Sequence, residues 1–174
     1  MYVTRPTYSS LLAGSLLAGL AALAVMPAVL RGQTNFCTLV APADAATELH
    51  ATTAALTGDT ATTSTAGSPI KFKSCDFATP GAIPNTLRLG FRITPSADVA
   101  HQGFQMENQT FGQGSHSPVS GVGDEAMLYP DGELLIFRKH AVYVVVQGGG
   151  DQLKFKDTSD RLRAFATKLA AKLP

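Results

Sequence analysis

Two cysteines, Cys37 and Cys75, are the only thiols in the chain and stand 38 positions apart. That distance rules out a C-x-x-C redox pair, and no C-x-x-C-H haem-attachment sequence is present. In an exported chain such an even pair is expected to close one disulfide, a bridge that stabilises a domain by about 2–4 kcal/mol. In a cytosolic chain the same residues would be two buried thiols.

The remaining residues with catalytic capacity do not form a recognisable signature. Ser115-His116-Ser117 with Asp124 holds the residue types of a hydrolase triad, but it sits in a Gly/Ser-rich stretch without the strand-turn-helix elbow that exposes a nucleophile. His50, His101, His116 and His140 are scattered, with no H-x-H or H-E-x-x-H and no carboxylate at ligand spacing, so no metal site is expected. Gly121-Val122-Gly123-Asp124-Glu125 lacks the third glycine and the following helix of a dinucleotide loop and the Gly-Lys-Ser/Thr of a P-loop. It reads as a tight lead into a strand, its glycines accepting positive φ and Asp124 capping the turn. Asn108-Gln109-Thr110 matches a glycosylation sequon, which chance explains as well. The expectation is a protein that is not an enzyme, with no catalytic residue, no cofactor and no bound metal.

What must be positioned is therefore a surface, and its location is set by the first thirty residues. Leu11 to Leu30, LLAGSLLAGLAALAVMPAVL, carries no charge between Arg5 and Arg31. A secretory h-region needs about 7–15 apolar residues before a small-x-small site, and a bilayer span about 20. The stretch meets both descriptions: Ala22-Leu23-Ala24 is an acceptable cleavage site, yet the apolar run continues through Val25, Met26, Ala28, Val29 and Leu30. Gly14, Ala18 and Ala22 form a row at four-residue spacing, flanked by Ser15 and Gly19, of the kind that lets helices approach closely in lipid. The reading is an uncleaved signal anchor: residues 1–10 a cytoplasmic tail, 11–30 a transmembrane helix and 31–174 an extracytoplasmic domain. Arg5 and the α-amino group, set against Arg31 followed by Asp44 and Glu48, give this orientation a weak positive-inside bias.

Thirteen of the 14 Lys and Arg and all 13 Asp and Glu lie in residues 31–174, so the domain is formally neutral and a basic nucleic-acid-binding surface is disfavoured. About 140 residues make one domain with a sizeable core. Ala45, Leu49, Thr52 and Leu56 predict a helix over 42–56, with Pro42 at its start and Gly58 as its stop. The Thr/Ala/Gly/Ser segment Thr57–Ser68 reads as a mobile loop. Strands are predicted at Ile70–Phe77 and Thr86–Thr94, joined as a hairpin through Pro80–Asn85, and a helix at Pro95–Phe111. After the Gly-rich segment Gly112–Gly123, further strands follow at Glu125–Tyr129, Glu133–Lys139 and Ala141–Gln147, with a tight turn at Asp131-Gly132. Leu162, Phe165, Leu169 and Leu173 stripe a closing helix over Thr158–Leu173. The fold class is α+β, in the order α-β-β-α-β-β-β-α, about five antiparallel strands packed by about three helices.

The run Cys37-Thr38-Leu39-Val40 before a helix, Cys75-Asp76-Phe77 on the next strand, Gly121-Val122-Gly123-Asp124-Glu125-Ala126, and the strand Leu134-Leu135-Ile136-Phe137-Arg138-Lys139 resembles small bacterial envelope domains of uncharacterised function, exported or lipid-anchored. The resemblance covers residues 36 to 170. It implies an α+β envelope module and carries over no catalytic residue. Thr34-Asn35-Phe36 before Cys37 is not a lipobox, so the chain departs from the lipid-anchored members.

Two surfaces are candidates for partners. Lys71, Lys73, Arg88 and Arg92 are predicted to project from one face of the first hairpin, opposite Ile70, Phe72, Leu87, Leu89, Phe91 and Ile93, where they would be either a solvated face or a dock for an acidic partner. Leu134–Phe137 and Val142–Val146 are apolar on both faces, so one face could meet a partner. The functional expectation is a single-pass accessory subunit of a larger integral-membrane assembly, with a bacterial respiratory or photosynthetic electron-transfer complex as the host to test first. Its partners would be integral-membrane subunits and the membrane, with no small-molecule substrate. The alternatives are a cleaved, exported periplasmic binding module and a small envelope hydrolase.

Overall fold

The computed structural model describes residues 35–63, 68–111, 116–129, 133–151 and 156–174. The expected tail and anchor, with Gly14, Ser15, Ala18, Gly19 and Ala22, lie outside the described residues, as does the Asp131-Gly132 turn. Among the described residues no helix is long and apolar enough to cross a membrane.

The architecture is a seven-stranded antiparallel sheet with helices on both faces. A 3-10 turn, η1 (Phe36–Leu39), leads into α1 (Pro42–Glu48); β1 (Ala55–Thr63), β2 (Lys71–Ala78) and β3 (Thr86–Ile93) follow. Then come α2 (Ala97–Phe111), β4 (Ser117–Pro118), β5 (Glu125–Leu128), β6 (Leu134–Lys139), β7 (Val142–Gly149) and α3 (Thr158–Lys172). The strands lie in the order β1-β2-β3-β7-β6-β5-β4. The β2–β3 hairpin forms as expected, its loop closed by a bond from Thr79 N–H to the Asn85 carbonyl at 3.0 Å.

Strand count and order depart from the five expected. Seven of the residues assigned to a loop, Thr57 to Thr63, belong to β1, which pairs along β2 with one bulge between Leu56 and Gly58. β4 is a two-residue strand inside the Gly-rich segment. The first helix stops eight residues short of its predicted end. His50 adopts φ 54°, and the Ala51 and His50 N–H groups bond back to the carbonyls of Ala46 and Thr47 at 2.9 and 3.2 Å. This left-handed C-terminal motif closes the helix before the Thr52 and Leu56 that the periodicity had included.

Strand alternation divides the apolar residues between two layers. Cys75, Phe77, Leu87, Leu89, Phe91, Leu135, Phe137, Val142, Val144 and Val146 are buried against η1, α1 and the α3 stripe of Leu162, Phe165 and Leu169. The pairing of the β3 stripe with the closing helix is therefore as expected, and the Phe36 and Phe91 rings meet at 5.0 Å. On the opposite face Ile136 and Tyr143 pack with Ala100 and Phe104 of α2 and with Tyr129. The strands that are apolar on both sides are thus covered within the chain. Helix α2 crosses them closely: a Cβ on Gly103 would lie 2.6 Å from the Tyr143 ring.

Candidate functional site

Cys37 and Cys75 are bonded, with Cα atoms 5.6 Å apart, so η1 is tied to β2 on the side of the sheet that faces α1 and α3. The bridge fixes the phase of β2. Because Cys75 points to that inner side, alternation sends Lys71, Lys73 and Phe77 the same way and Phe72, Ser74 and Asp76 outward. The cross-strand register agrees: Lys73 lies opposite Phe91, whereas Phe72 lies opposite Arg92 and Asp76 opposite Arg88.

The four basic residues expected on one face are consequently split. Lys71 and Lys73 belong to the inner side, where Lys73 pairs with Asp59 of β1; Arg88 and Arg92 belong to the outer. Phe72, expected inside, is outside, and the Arg92 guanidinium lies 4.3 Å from its ring centroid in a cation–π contact. The phase was assigned from Phe72 as a core residue, whereas the cysteine pair held the signal that would have set it correctly.

Helix α2 covers the β5, β6 and β7 side of the outer face, and among the described residues no helix covers the outer side of β2 and β3. Across it runs a polar row of three neighbouring strands, Asp76, Arg88 and Gln147. Arg88 Nε donates to Asp76 Oδ1 at 2.6 Å, with the arginine side chain two-thirds exposed at 67%. A shallow groove of about 430 Å³ opens here, bounded by Thr57, Gly58, Thr86, Gly148 and Gly149. A Cβ at Gly58 would stand 2.7 Å from the Asp76 carboxylate, so the glycine admits that carboxylate to the rim. Asp76 and Gln147 were not singled out from sequence, because their only signal is alternation with buried neighbours.

The other candidate groups are absorbed by the fold. Gly121 and Gly123 take φ of 79° and 61°, and a Cβ on Gly123 would collide with the Arg138 carbonyl. Asp124 accepts from the His140 N–H at 2.7 Å and from Arg138 at 3.1 Å, capping the β6–β7 turn in which His140 holds φ 50°. Burial pushes its carboxyl up, but the His140 N–H and the Arg138 and Lys139 charges outweigh this and hold it below the ordinary value. Glu125 behaves alike: the burial cost is exceeded by hydrogen bonds from His101, at 2.7 Å, and Arg138. This is a structural ion network at the start of β5. His116 stacks on Tyr129 with ring centroids 5.9 Å apart, whereas Asp124 is engaged by Arg138 and the His140 N–H; Ser115 lies outside the described residues. The Asn108 side chain is buried and accepts from the Tyr129 hydroxyl at 2.5 Å, which withdraws the sequon from the surface. Among the described residues no group of three or more His, Cys, Asp or Glu could hold a metal.

One carboxyl stands out within the core. Glu48, at the end of α1, is 3% exposed, and burial pushes it up to about 8 against the opposing pull of Arg161. The Arg161 guanidinium donates to the Glu48 backbone carbonyl and lies 3.3 Å from Asp157, whose charge raises Glu48 further.

No protein-family model matches the sequence, and no curated protein matches it either. Among solved structures the fold is similar to the extracellular domain of PknH from Mycobacterium tuberculosis, with a TM-score of 0.54 at 9% identity, covering 78% of this chain and 94% of that one.

Proposed function

We propose that this chain is an extracytoplasmic binding domain, tethered to the membrane by Leu11–Leu30, that works by contact and not by catalysis as an accessory subunit of a membrane assembly. The observation that carries the reading is the outer side of β2 and β3, which no described helix covers: it offers the two-thirds-exposed Arg88, the half-buried Arg92 on the Phe72 ring and the groove beside Asp76 as a surface for contact. The disulfide supports an oxidising compartment, and likeness to an extracellular domain is in keeping with it. The partner's surface would be acidic, meeting Arg88 and Arg92. Nothing favours an electron-transfer host over any other membrane assembly, and none is assigned.

The test is fractionation of the native chain with intact mass measurement, followed by mild-detergent co-purification. The expected protein begins at Met1, stays with membranes and is two hydrogens lighter than the reduced chain. Arg88→Glu with Arg92→Glu should lose the co-purifying partner while keeping the membrane location. Gly14→Leu with Ala18→Leu keeps the anchor apolar and reports whether the small-residue row contributes as well. Soluble protein beginning at Val25 would replace the anchored reading by that of a secreted module, and unchanged co-purification of the arginine variant would remove the outer face from the interface.

A further inference from the structure

We propose that β1 is a self-pairing edge, through which two copies of this chain join their sheets with antiparallel β1 strands about a two-fold axis at Thr60. β1 is the outermost strand of the sheet, and among the described residues no element lies on its far side and no backbone group of another element bonds to it there. Natural edges of this length are guarded by lysine, proline, an inward charge or a bulge. β1, with sequence ALTGDTATT, has no proline and no lysine. Its one charge, Asp59, is matched by Lys73 of the adjacent strand. The bulge between Leu56 and Gly58 protects only the first residues, leaving Gly58 onward as a regular ladder.

A second copy fits this edge better than an unrelated extended peptide. Apart from Asp59, the edge side chains are glycine, alanine and threonine, which form no pockets to read a foreign sequence. They are self-complementary in one register, with Thr60 opposite Thr60, Asp59 opposite Ala61 and Gly58 opposite Thr62. Threonine pairs are favourable across strands, and the two carboxylates avoid direct opposition; moving the axis to Asp59 would set them face to face. Five paired residues bury well short of the roughly 1,000 Å² of a stable dimer. The pairing is therefore weak in dilute solution and depends on tethering, which raises the effective concentration of one copy for another; in this it rests on the anchored reading above.

The native chain has no free cysteine among the described residues and its two thiols are bridged, so a single added thiol reports unambiguously. Full-length Thr60→Cys and, as control, Ile83→Cys in the well-exposed β2–β3 loop are placed in liposomes and oxidised mildly. Thr60→Cys should give a species of twice the chain mass, roughly ten-fold more than Ile83→Cys, since opposed residues hold Cβ atoms about 5 Å apart. Adding Thr62→Lys to Thr60→Cys should abolish the excess, with the Cys37–Cys75 bridge confirmed by mass as a check on folding. Equal yields from residues 60 and 83, or residue 60 captured by another membrane protein in native membranes in place of its own copy, would overturn the proposal. If the chain does not stay with the liposomes, the tether is what has failed; the same pair of variants oxidised in concentrated solution then decides the edge, enrichment at residue 60 upholding it and equal yields overturning it.

Discussion

Glu48 gives a pH dependence opposite in sign to that of most carboxylates. In the unfolded chain its carboxyl ionises near 4.5; in the fold, burial moves this to about 8. Between those values the unfolded chain is ionised at this residue and the folded chain holds the proton, so folding takes up a proton and stability falls as pH rises. Each pH unit is worth about 1.4 kcal/mol, so the window from about 4.5 to about 8 has room for a loss of up to about 5 kcal/mol. Below the window both states are protonated, and above it both are ionised with the cost complete.

Glu48→Gln keeps the shape and cannot ionise. In full chain held in mild detergent, with the disulfide intact, guanidinium unfolding can be followed by tyrosine fluorescence, since there is no tryptophan among the 174 residues and there are four tyrosines. The quantity to read is variant minus native stability from pH 5 to pH 9, in which every other titrating group cancels. It should be small at pH 5 and shift by several kcal/mol in favour of the glutamine variant by pH 8. A flat difference would refute the reasoning: it would mean that Arg161 holds the carboxylate charged in spite of its burial, and that the core contains an ion pair and not a neutral acid.

The other predictions concern packing. Phe91→Ala removes a fully buried ring set against Phe36 and should cost about 3–5 kcal/mol, read as a lowered guanidinium midpoint at unchanged slope. Gly103→Ala adds a methyl against the Tyr143 ring and should cost about 1–3 kcal/mol; adding Tyr143→Phe should not relieve it, because the collision is with the ring edge more than with the hydroxyl.

How much of this fold could be read from the sequence depended on whether an element buries a face. The stripes of β3 and α3 alternate with periods of 2 and 3.6, and both found the layer expected of them, because each buried position must be apolar. The Gly121–Asp124 lead into β5 was legible for a different reason: backbone φ above zero and a capping carboxylate leave residue-type signatures. The first helix was overextended because periodicity at Thr52 and Leu56 carries no mark of where a left-handed His50 ends the turn. The face of the basic residues was misassigned because alternation gives two phases, and a half-buried aromatic, Phe72, was weighted above the cysteine that fixes the phase. Of the candidate surface, Arg88 and Arg92 were singled out, whereas Asp76 and Gln147 became visible only when three strands were set side by side.

Of the two strands that escaped, β1 and the short β4, the first is the more instructive. β1 buries neither face deeply, so selection for a core leaves no alternation in ALTGDTATT, and the only remaining signal is the density of β-branched threonine. The same property bears on function. A strand with one buried face is committed in register by its hydrophobic set, while one with small polar residues on both faces keeps its far edge open and its register cheap to share. Such an edge would be an aggregation hazard in a freely diffusing protein at high concentration. On a tethered chain, collisions are confined to one plane and one orientation, so the edge has few ways to pair and the two-fold arrangement is the one that closes. The absence of guarding lysine or proline on β1 is therefore physically coherent with a membrane-held domain, and cross-linking at Thr60 measures the two ideas together while partition into liposomes separates them.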